Sequence, residues 1–415
     1  MRVLVLGAGV IGTTCAHYLA KAGHDVTVLE RRSGAALETS FANAGGVCPG
    51  FAGPWASPGL PLKALRWMFE RHAPLELKPR FDSRQWRWLA AFLGNCTAER
   101  FSRNKARMQR IAHYSKACLV ALRQETGIRY DHGTGGILQI FRTADELDGG
   151  RRAARVLETF AVPHQIVDAA EAVAIEPALA RATVGIAGGL FLPDDETGDC
   201  HLFTQRLAEL LRGRGVDFRF DTVIEQIVVD GGRFSGVVTS GGFVRADAVV
   251  VALASEAVFL LRPLGIDLPV YPVKGYALSA PIADEMAAPR SSVMDEHTKL
   301  MVTRLGGRLR AAGIAEVGGY DRAVEARKCA TVLKSVTDLF PAAADYARAE
   351  YWAGLRPMTP DGPPYLGTTP VKNLFLNLGQ GSNGWTQACG CGRIVADLVS
   401  GRAPEIDLDG YGQER

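Results

Sequence analysis

The stretch Arg2-Val-Leu-Val-Leu6 is a short, β-branched and mostly apolar run, typical of a strand that is buried on both faces. It leads directly into Gly7-Ala-Gly9-Val-Ile-Gly12, and a helical stretch follows over Thr13–Ala22. Asp25-Val-Thr-Val-Leu29 then predicts a second strand, with Glu30 at its end. Strand, glycines, helix, strand and terminal acid in this register predict a βαβ unit that binds a dinucleotide.

The glycine turn and the terminal acid have separate tasks in such a unit. Gly7, Gly9 and Gly12 let the backbone approach a pyrophosphate, and the helix N-terminus offers N–H groups and a partial positive charge. Glu30 can accept hydrogen bonds from a ribose 2′-hydroxyl and would repel a 2′-phosphate, which disfavours NADP. The alternative is a plain parallel βαβ unit with a tight turn.

The composition is that of a soluble enzyme and gives no reason to expect nucleic acid as a partner. Of the 415 residues, 47% are apolar and 22% are charged, and the net charge is +3. No apolar run approaches the ~20 residues of a transmembrane helix. The 8 cysteines form no C-x-x-C pair, which predicts reduced thiols in a cytoplasmic protein and no metal site.

A long polar loop of small residues follows the second strand. It begins at Arg31 and includes Ser40, Asn43 and Ala44 before Gly45-Gly46. Small residues suit a backbone that is pressed against a large flat ligand, and at this point a simple nicotinamide domain would usually proceed to a helix. The loop is therefore a second candidate part of the cofactor site, with an ordinary surface loop as the alternative.

Residues 47–130 are predicted to be helical, with many aromatic and basic side chains. Apolar residues recur at helical spacing in Pro61–Glu70 and Ser83–Leu93, and Arg100–Thr126 predicts a long helix. The tryptophans of this region are Trp55, Trp67, Trp86 and Trp88. The pattern is typical of domain core with a solvated basic edge, or of a segment that lies in a membrane interface.

An acidic cluster, Asp194-Asp-Glu196 followed by Asp199, precedes a predicted helix over His201–Gly213. Paired carboxylates can serve acid–base catalysis, but no nucleophile or histidine relay lies beside them. Asp199 is a natural N-cap. We therefore interpret the cluster as structural.

The C-terminal segment carries a second ligand-binding signal. Gly354–Gly362 is predicted to be a turn-rich loop that holds one fixed cation, Arg356. The strand Asn373–Leu378, the glycine loop Gly379–Gly384 and the helix Trp385–Ser400 close the chain. A second helix N-terminus would contact the far end of the same ligand. This favours FAD over NAD, because the ring end of a flavin must be held by distant parts of the fold.

These elements predict an α/β fold with an α+β substrate part. We expect a Rossmann-like FAD-binding domain over residues 1–50, 190–262 and 345–415. We expect an interleaved substrate domain, built on an antiparallel sheet plus helices, over residues 51–189 and 263–344, where Gly306-Gly307 predicts a hairpin turn.

Several stretches are long and unusual in composition, and they resemble the small, catalytic subunit of bacterial D-amino-acid dehydrogenase, within the glycine oxidase and sarcosine oxidase-like FAD superfamily. Nearly the whole chain takes part. The matching stretches are Gly34-Ala-Ala-Leu-Glu-Thr-Ser40, Pro61-Leu-Lys-Ala64, Arg71-His-Ala-Pro74, Asp195-Glu-Thr-Gly-Asp-Cys200, Tyr271-Pro-Val-Lys-Gly-Tyr276, Gly354-Leu-Arg-Pro-Met-Thr-Pro-Asp-Gly362 and Gly384-Trp-Thr386.

The resemblance implies FAD as the cofactor and gives roles to matching positions. Arg356 is similar to the family arginine that grips the substrate carboxylate, and Tyr276 lies on a strand expected to face the flavin and help to hold the substrate. The residues implied at the ADP half are Gly7, Gly9, Val10, Ile11, Gly12, Glu30 and Arg31, with the backbone of Val223 at the adenine. Those implied around the isoalloxazine ring are Ser40, Asn43, Ala44, Gly45, Gly46, Gly379, Gly381, Ser382, Asn383, Gly384, Trp385 and Thr386.

The implied activity is oxidative deamination of a D-amino acid to a 2-oxo acid and ammonia. A hydride passes from the α-carbon to flavin N5, and the electrons pass to a quinone-type acceptor. Catalysis is then mainly orientation, which agrees with the absence of a histidine or carboxylate constellation. The basic, tryptophan-rich segment fits a cytoplasmic enzyme with peripheral contact to the inner face of the membrane.

The chain also departs from the family pattern near the expected reactive edge of the flavin. The departures near that edge are Gly46, Thr298, Gln380 and Ser382-Asn383, and Ala254 is a further departure. They keep open a dehydrogenase or oxidase of a secondary or cyclic amine, such as D-proline, hydroxy-D-proline, glycine or sarcosine. Sarcosine-type oxidases place a lysine beside the flavin, whereas the strand here offers Arg308 and Arg310, which favours a dehydrogenase. A non-catalytic FAD-binding subunit is the third alternative.

Overall fold

The computed structural model describes residues 1–62 and 74–415, so most of the predicted helix Pro61–Glu70 lies outside the described residues. The strands are β1 (Arg2–Leu6), β2 (Asp25–Leu29), β3 (Gly46–Val47), β4 (Leu75–Leu77), β5 (Ile137–Phe141), β6 (Gln165–Asp168), β7 (Gly188–Leu192), β8 (Glu196–Thr197), β9 (Asp217–Arg219), β10 (Ile224–Asp230), β11 (Arg233–Thr239), β12 (Gly242–Arg245), β13 (Ala248–Val251), β14 (Tyr271–Pro281), β15 (Ser292–Asp295), β16 (Leu300–Leu305), β17 (Arg308–Val317), β18 (Glu350–Met358), β19 (Tyr365–Thr368) and β20 (Leu374–Leu378). The α-helices are α1 (Val10–Lys21), α2 (Ser83–Gly94), α3 (Ala98–Thr126), α4 (Ala144–Thr159), α5 (Ala169–Ile175), α6 (Cys200–Gly213), α7 (Ala257–Leu261), α8 (Ala326–Leu339) and α9 (Gly384–Val399).

A six-stranded sheet carries the predicted βαβ unit. Its order is β19-β20-β13-β1-β2-β9, and every pair is parallel except β19 with β20. Val3 and Val5 pack against α1, α3, α6 and α9, whereas Leu4 and Leu6 pack towards the three-stranded antiparallel sheet β10-β11-β12. Both faces are therefore covered, as expected for a parallel sheet with strands that are apolar at successive positions.

A nine-stranded, mainly antiparallel sheet forms the second large part of the fold. Its order is β18-β14-β17-β16-β15-β5-β7-β6, with β4 paired in parallel to β17. Helix α8 covers one face, where Val332, Val336 and Leu339 pack with Leu278 and Leu309. The fold class predicted from the sequence, a Rossmann-like part with an antiparallel substrate part, is confirmed.

The predicted turn-rich loop at Gly354–Gly362 is wrong in its first half. Residues up to Met358 belong to strand β18, which pairs with β14 along its whole length. The glycines and prolines of this stretch concealed the strand, because the pairing partner lies about eighty residues away in sequence. Strands β18 and β7 lie in the nine-stranded sheet although residues 350–358 and 190–192 were assigned to the cofactor domain. The division into two domains stays a prediction.

The predicted long helix Arg100–Thr126 is confirmed as α3. It starts after the N-cap Thr97, whose side chain accepts a hydrogen bond from the Arg100 N–H, and ends at the left-handed Gly127. α3 packs against α9. No helix within the described ranges is long and apolar enough to cross a membrane.

Candidate active site

A cavity of about 850 Å³ is lined by residues of both sheets and by α1, α3 and the N-terminus of α9. All but two of the residues predicted for the site line it, and the two exceptions are Gly12 and Gly379. The motifs at the two ends of the chain, which are more than three hundred residues apart, therefore meet at one cavity.

The glycine turn forms one wall of the cavity. Gly7 has a φ of 102°, and a Cβ on it would lie 2.8 Å from a carbonyl oxygen of the segment after β13, so only glycine fits. A Cβ on Gly12 would lie 1.9 Å from the Gly7 carbonyl oxygen. Gly12 therefore serves the close packing of α1 on β1, whereas Gly9, Val10 and Ile11 reach the cavity.

Glu30 is oriented by the turn that it closes. Its carboxylate accepts hydrogen bonds from the backbone N–H groups of Ala8 and Arg32, both at 2.9 Å. Burial raises the pKa of Glu30, and the two N–H groups oppose that shift. Each carboxylate oxygen keeps a lone pair that can accept a ribose hydroxyl.

Two residues predicted at the nucleotide end are largely engaged by the protein itself. The guanidinium of Arg31 pairs with Glu38 and Glu256 and so fixes the loop after β2. The Val223 N–H donates to Ser240 Oγ at 3.1 Å, and the Val223 carbonyl accepts from the Ser240 N–H at 2.9 Å. Only the second lone pair of that carbonyl is left for the predicted backbone contact with adenine.

The loop of small residues from Ser40 to Gly46 is held in place by the nine-stranded sheet. The Asn43 carbonyl accepts a hydrogen bond from Arg310 Nη1 at 3.2 Å. The Ala44 carbonyl accepts one from Thr303 Oγ1 at 2.7 Å. A backbone supported in this way presents small side chains to the cavity and suits contact with a flat ring.

The closing glycine loop brings the N-terminus of α9 to the same cavity. Ser382 Oγ accepts a hydrogen bond from the indole N–H of Trp55 at 3.1 Å. Thr386 Oγ1 accepts one from the Cys48 N–H at 3.0 Å. The partial positive charge of this helix end would stabilise negative charge on a ligand. The lining residues of this segment are Gln380, Gly381, Ser382, Asn383, Gly384, Trp385 and Thr386.

Arg356 is a partly buried cation of the cavity. It lies on β18, and its Nη1 and Nη2 donate to the carbonyl oxygens of Ile314 and Gly313 at 2.9 and 3.3 Å. Its guanidinium carbon lies 5.9 Å from the ring centroid of Trp55. Burial lowers the pKa of Arg356 to about 10. No carboxylate in the described part of the chain pairs with Arg356, so its charge is free for an anionic ligand.

Tyr276 lines the cavity, and its hydroxyl is hydrogen-bonded within the protein. Side chains alternate along β14, and Tyr276 packs with the core under α8, whereas Gly275 faces Arg356. The Tyr276 hydroxyl donates to Glu316 Oε2 at 3.0 Å, and Lys274 and Lys78 each lie 3.1 Å from the same carboxylate. The hydroxyl is therefore bonded inside the protein, and the role of Tyr276 in holding the substrate stays a prediction.

Sequence reasoning missed side chains that reach the cavity from α3. Phe101 and Lys105 lie one helical turn apart and both line the cavity. Burial lowers the pKa of Lys105 to about 8. The i, i+4 spacing was the available signal, but it identifies a shared face and not what that face contacts.

The acidic cluster is structural, as interpreted from the sequence. Asp199 caps α6 by accepting a hydrogen bond from the Leu202 N–H at 3.0 Å, and Glu196 pairs with Arg123 at 2.8 Å. Neither carboxylate lines the cavity. Within residues 1–62 and 74–415, no group of three or more histidine, cysteine or acidic side chains is arranged to hold a metal ion.

Known proteins resemble this chain over its whole length. A family model described as FAD dependent oxidoreductase matches residues 2–398. The D-amino acid dehydrogenase of Methylobacterium radiotolerans is 56% identical over 410 residues, covering 99% of this chain and 98% of that protein. The D-amino acid dehydrogenase of Bradyrhizobium diazoefficiens is 52% identical over 415 residues, covering 100% and 99%. Among solved structures, glycine oxidase from Geobacillus kaustophilus matches with a TM-score of 0.76 and 27% identity, covering 100% and 99%.

Proposed function

The chain belongs to the FAD dependent oxidoreductase family, and on that premise we propose that it oxidises D-amino acids to 2-oxo acids and ammonia. FAD is the cofactor, as the sequence predicted. The cavity fits it, since the glycine turn with Glu30 lies at one part of the wall and the N-terminus of α9 at another. The choice of D-amino acids rests on the names of the relatives, which are D-amino acid dehydrogenases.

The unpaired guanidinium of Arg356 is the observation that carries the proposal. A partly buried cation without a carboxylate partner is costly, and an incoming substrate carboxylate would neutralise it. Two of its five N–H donors are held by carbonyl oxygens, which fixes the plane of the guanidinium and leaves the others for a bidentate contact. An amino acid would thereby be bound by its invariant carboxylate.

Orientation is one part of the remaining chemistry. FAD, when bound, supplies the acceptor for a hydride from the substrate α-carbon. Arg356 fixes the carboxylate, and the indole of Trp55, hydrogen-bonded to Ser382, limits where the side chain of the substrate can go. Positioning of this kind can contribute about 7–11 kcal/mol to lowering a barrier.

A secondary or cyclic amine is the second candidate substrate. The departures Gly46, Ala254 and Gln380 line the cavity, which supports a substrate class different from that of the family. Thr298 weakens this support, because its hydroxyl donates to Asp295 and the residue does not line the cavity. A D-amino acid with an open side chain therefore stays the first candidate.

The electron acceptor is proposed to be a quinone that is reached at a membrane surface. Arg310 is tied to the Asn43 carbonyl in place of a free lysine, which supports a dehydrogenase over an oxidase. Beside α2, Phe81 and Trp86 are exposed near Arg87, a pattern that suits peripheral contact with anionic lipid. Flotation of the holoenzyme with anionic and with neutral liposomes tests this contact. If the fraction of enzyme that stays unbound is the same with both kinds of liposome, the contact with anionic lipid is excluded.

Anaerobic reduction of the bound flavin by a panel of D-amino acids, L-amino acids and cyclic amines tests the proposed activity. We expect D-amino acids to bleach the flavin absorbance and L-amino acids to leave it unchanged. Arg356→Leu should keep FAD and raise KM by about 10³-fold, which corresponds to about 4 kcal/mol of lost binding. Arg356→Lys keeps the charge but loses the fork, and an intermediate KM is expected. If no amine bleaches the flavin, the proposed activity is excluded.

A further inference from the structure

Lys105 and Arg356 line the cavity on either side of one short segment, Gly53 to Trp55. The Lys105 Nζ is 3.5 Å from the position that a Cβ on Gly53 would take. Two residues further on, the ring of Trp55 lies 5.9 Å from the guanidinium of Arg356. Since two residues span at most about 7 Å, Lys105 and Arg356 border the same short segment of the cavity wall, from Gly53 to Trp55.

The amine of Lys105 has no counter-ion within the part of the chain that the structure describes. Among residues 1–62 and 74–415 no carboxylate pairs with its Nζ, and burial is the cause of its lowered pKa. Several charges on the surrounding elements are neutralised by partners. These pairs are Arg103–Glu99, Arg107–Asp409 and Arg110–Asp407 on α3, Arg393–Glu405 on α9 and Arg415–Asp361 beyond β18. Arg100 on α3 donates to the Gly94 carbonyl. Burial raises the pKa of the Cys48 thiol, which lines the cavity, and of the Cys389 and Cys391 thiols on α9. Arg356 is likewise without a carboxylate partner among the described residues.

The proposed oxidation needs a base at this end of the cavity. An amino acid arrives as an ammonium ion, and its nitrogen needs a lone pair before a hydride can leave the α-carbon. The guanidinium of Arg356 stays charged, and the Tyr276 hydroxyl is bonded to Glu316. The carboxylates that line the cavity in the described chain belong to the nucleotide end, and they are Glu30, Glu38, Glu225 and Glu256.

On the basis of the proposed function, we propose that Lys105 is the catalytic base that takes one proton from the substrate ammonium. The transfer leaves the substrate as a neutral amine and Lys105 as an ammonium ion. The α-carbon then gives up its hydrogen with the bonding electron pair, a hydride that oxidised FAD would accept, and the amine lone pair forms the C=N bond of an iminium ion. Water hydrolyses the iminium ion to the 2-oxo acid and ammonium, and Lys105 returns its proton to solvent.

The pH dependence of kcat/KM for the best D-amino acid tests this role. Lys105→Met removes the base at nearly equal length, Lys105→Arg keeps a charge that cannot be lost, and Lys116→Met is a control on the same helix outside the cavity. The wild-type acid limb is expected near pH 8, where the amine becomes neutral. In both Lys105 variants the limb should move to the pKa of the substrate itself. Activity at pH 7 should fall by about 10²-fold, with a smaller loss at pH 10.

A readout that does not depend on turnover completes the test. In holoenzyme with ¹³C-dimethylated amines, a resonance that titrates near pH 8 in the wild type should be absent in Lys105→Arg. If kcat/KM falls equally at every pH, Lys105 has a structural role and the proposal is overturned. If Lys105→Arg keeps wild-type activity while Lys105→Met loses it, Lys105 binds an anion and the proposal is overturned as well. Flavin that no amine reduces would instead refute the proposed activity, so the two failures are distinguishable.

Discussion

A Cβ on Gly275 would lie 2.4 Å from the guanidinium carbon of Arg356, so the arginine side chain fills the space that this glycine leaves free. In Gly275→Ala the far end of the arginine can move aside, and the protein should fold and keep FAD. The displaced guanidinium would lose its bonds to the carbonyl oxygens of Gly313 and Ile314. We expect KM for the D-amino acid substrate to rise by about 10–100-fold, measured by steady-state kinetics with an artificial acceptor.

Gly307→Ala is the matched control for this change. Gly307 lies in the hairpin turn between β16 and β17, and a Cβ there meets no atom within 4 Å. Its KM should equal that of the wild type. If KM in Gly275→Ala is also unchanged, the substrate carboxylate does not bind at Arg356.

Gly390→Ala should lower the stability of the protein, whereas Gly275→Ala should weaken substrate binding. A Cβ on Gly390 would lie 2.8 Å from the Cα of Ser115, where α9 crosses α3, and backbone cannot move aside as a side chain can. We expect a loss of about 1–3 kcal/mol in the free energy of unfolding, measured by urea titration at saturating FAD. Gly213→Ala, where a helical Cβ meets open space, should be neutral or slightly stabilising. Equal stability of the two variants would contradict the close crossing.

Local sequence patterns identified the parts of the site whose geometry is local. The turn Gly7–Gly12 and Glu30 lie within one βαβ unit, and the Asp199 N-cap needs three residues of helix. The turn at Gly306-Gly307 also joins two strands that are neighbours in sequence. In each case the residues that determine the conformation lie within about thirty positions of one another.

The residues that define the ring end depend on pairing between distant segments. Arg356 was placed in a loop because the strand that contains it is formed only by pairing with β14. The face on which Tyr276 lies follows from that register, since neighbouring residues of a strand point to opposite sides. Lys105 reaches the cavity only because α3 packs across α9. None of these relations is carried by a periodic pattern in one segment.

Tyr276→Phe should leave substrate binding intact and lower stability. The variant removes only the hydroxyl that donates to Glu316, and Lys274 and Lys78 continue to neutralise the carboxylate. Loss of a buried hydrogen bond to a charged group is expected to cost about 2 kcal/mol of unfolding free energy. The KM of Tyr276→Phe should lie within twofold of the wild-type KM. A KM increase as large as that of Arg356→Leu would restore Tyr276 as a substrate-binding residue.

Asp195 should make the stability of the protein fall as the pH rises. Its Oδ1 accepts a hydrogen bond from the Gly50 N–H at 3.1 Å, whereas its Oδ2 is buried and has no partner among residues 1–62 and 74–415. Burial raises the pKa of Asp195 from 3.8 to about 7, and the Gly50 N–H opposes this shift. Between these two values the folded state holds a proton that the unfolded state has released. The free energy of unfolding therefore decreases as pH rises from about 4 to about 7 and is level on either side.

Asp195→Asn removes this titration and keeps an acceptor for the Gly50 N–H. The free energy of unfolding of the variant, relative to wild type, should rise by up to about 4 kcal/mol between pH 4 and pH 8, because only the wild type ionises a buried group. Urea titrations at saturating FAD across this range measure the difference. In Asp194→Asn, which changes the exposed neighbouring residue, the free energy of unfolding should vary with pH as it does in the wild type. Parallel profiles for Asp195→Asn as well would mean that the Asp195 carboxyl ionises normally in the folded protein.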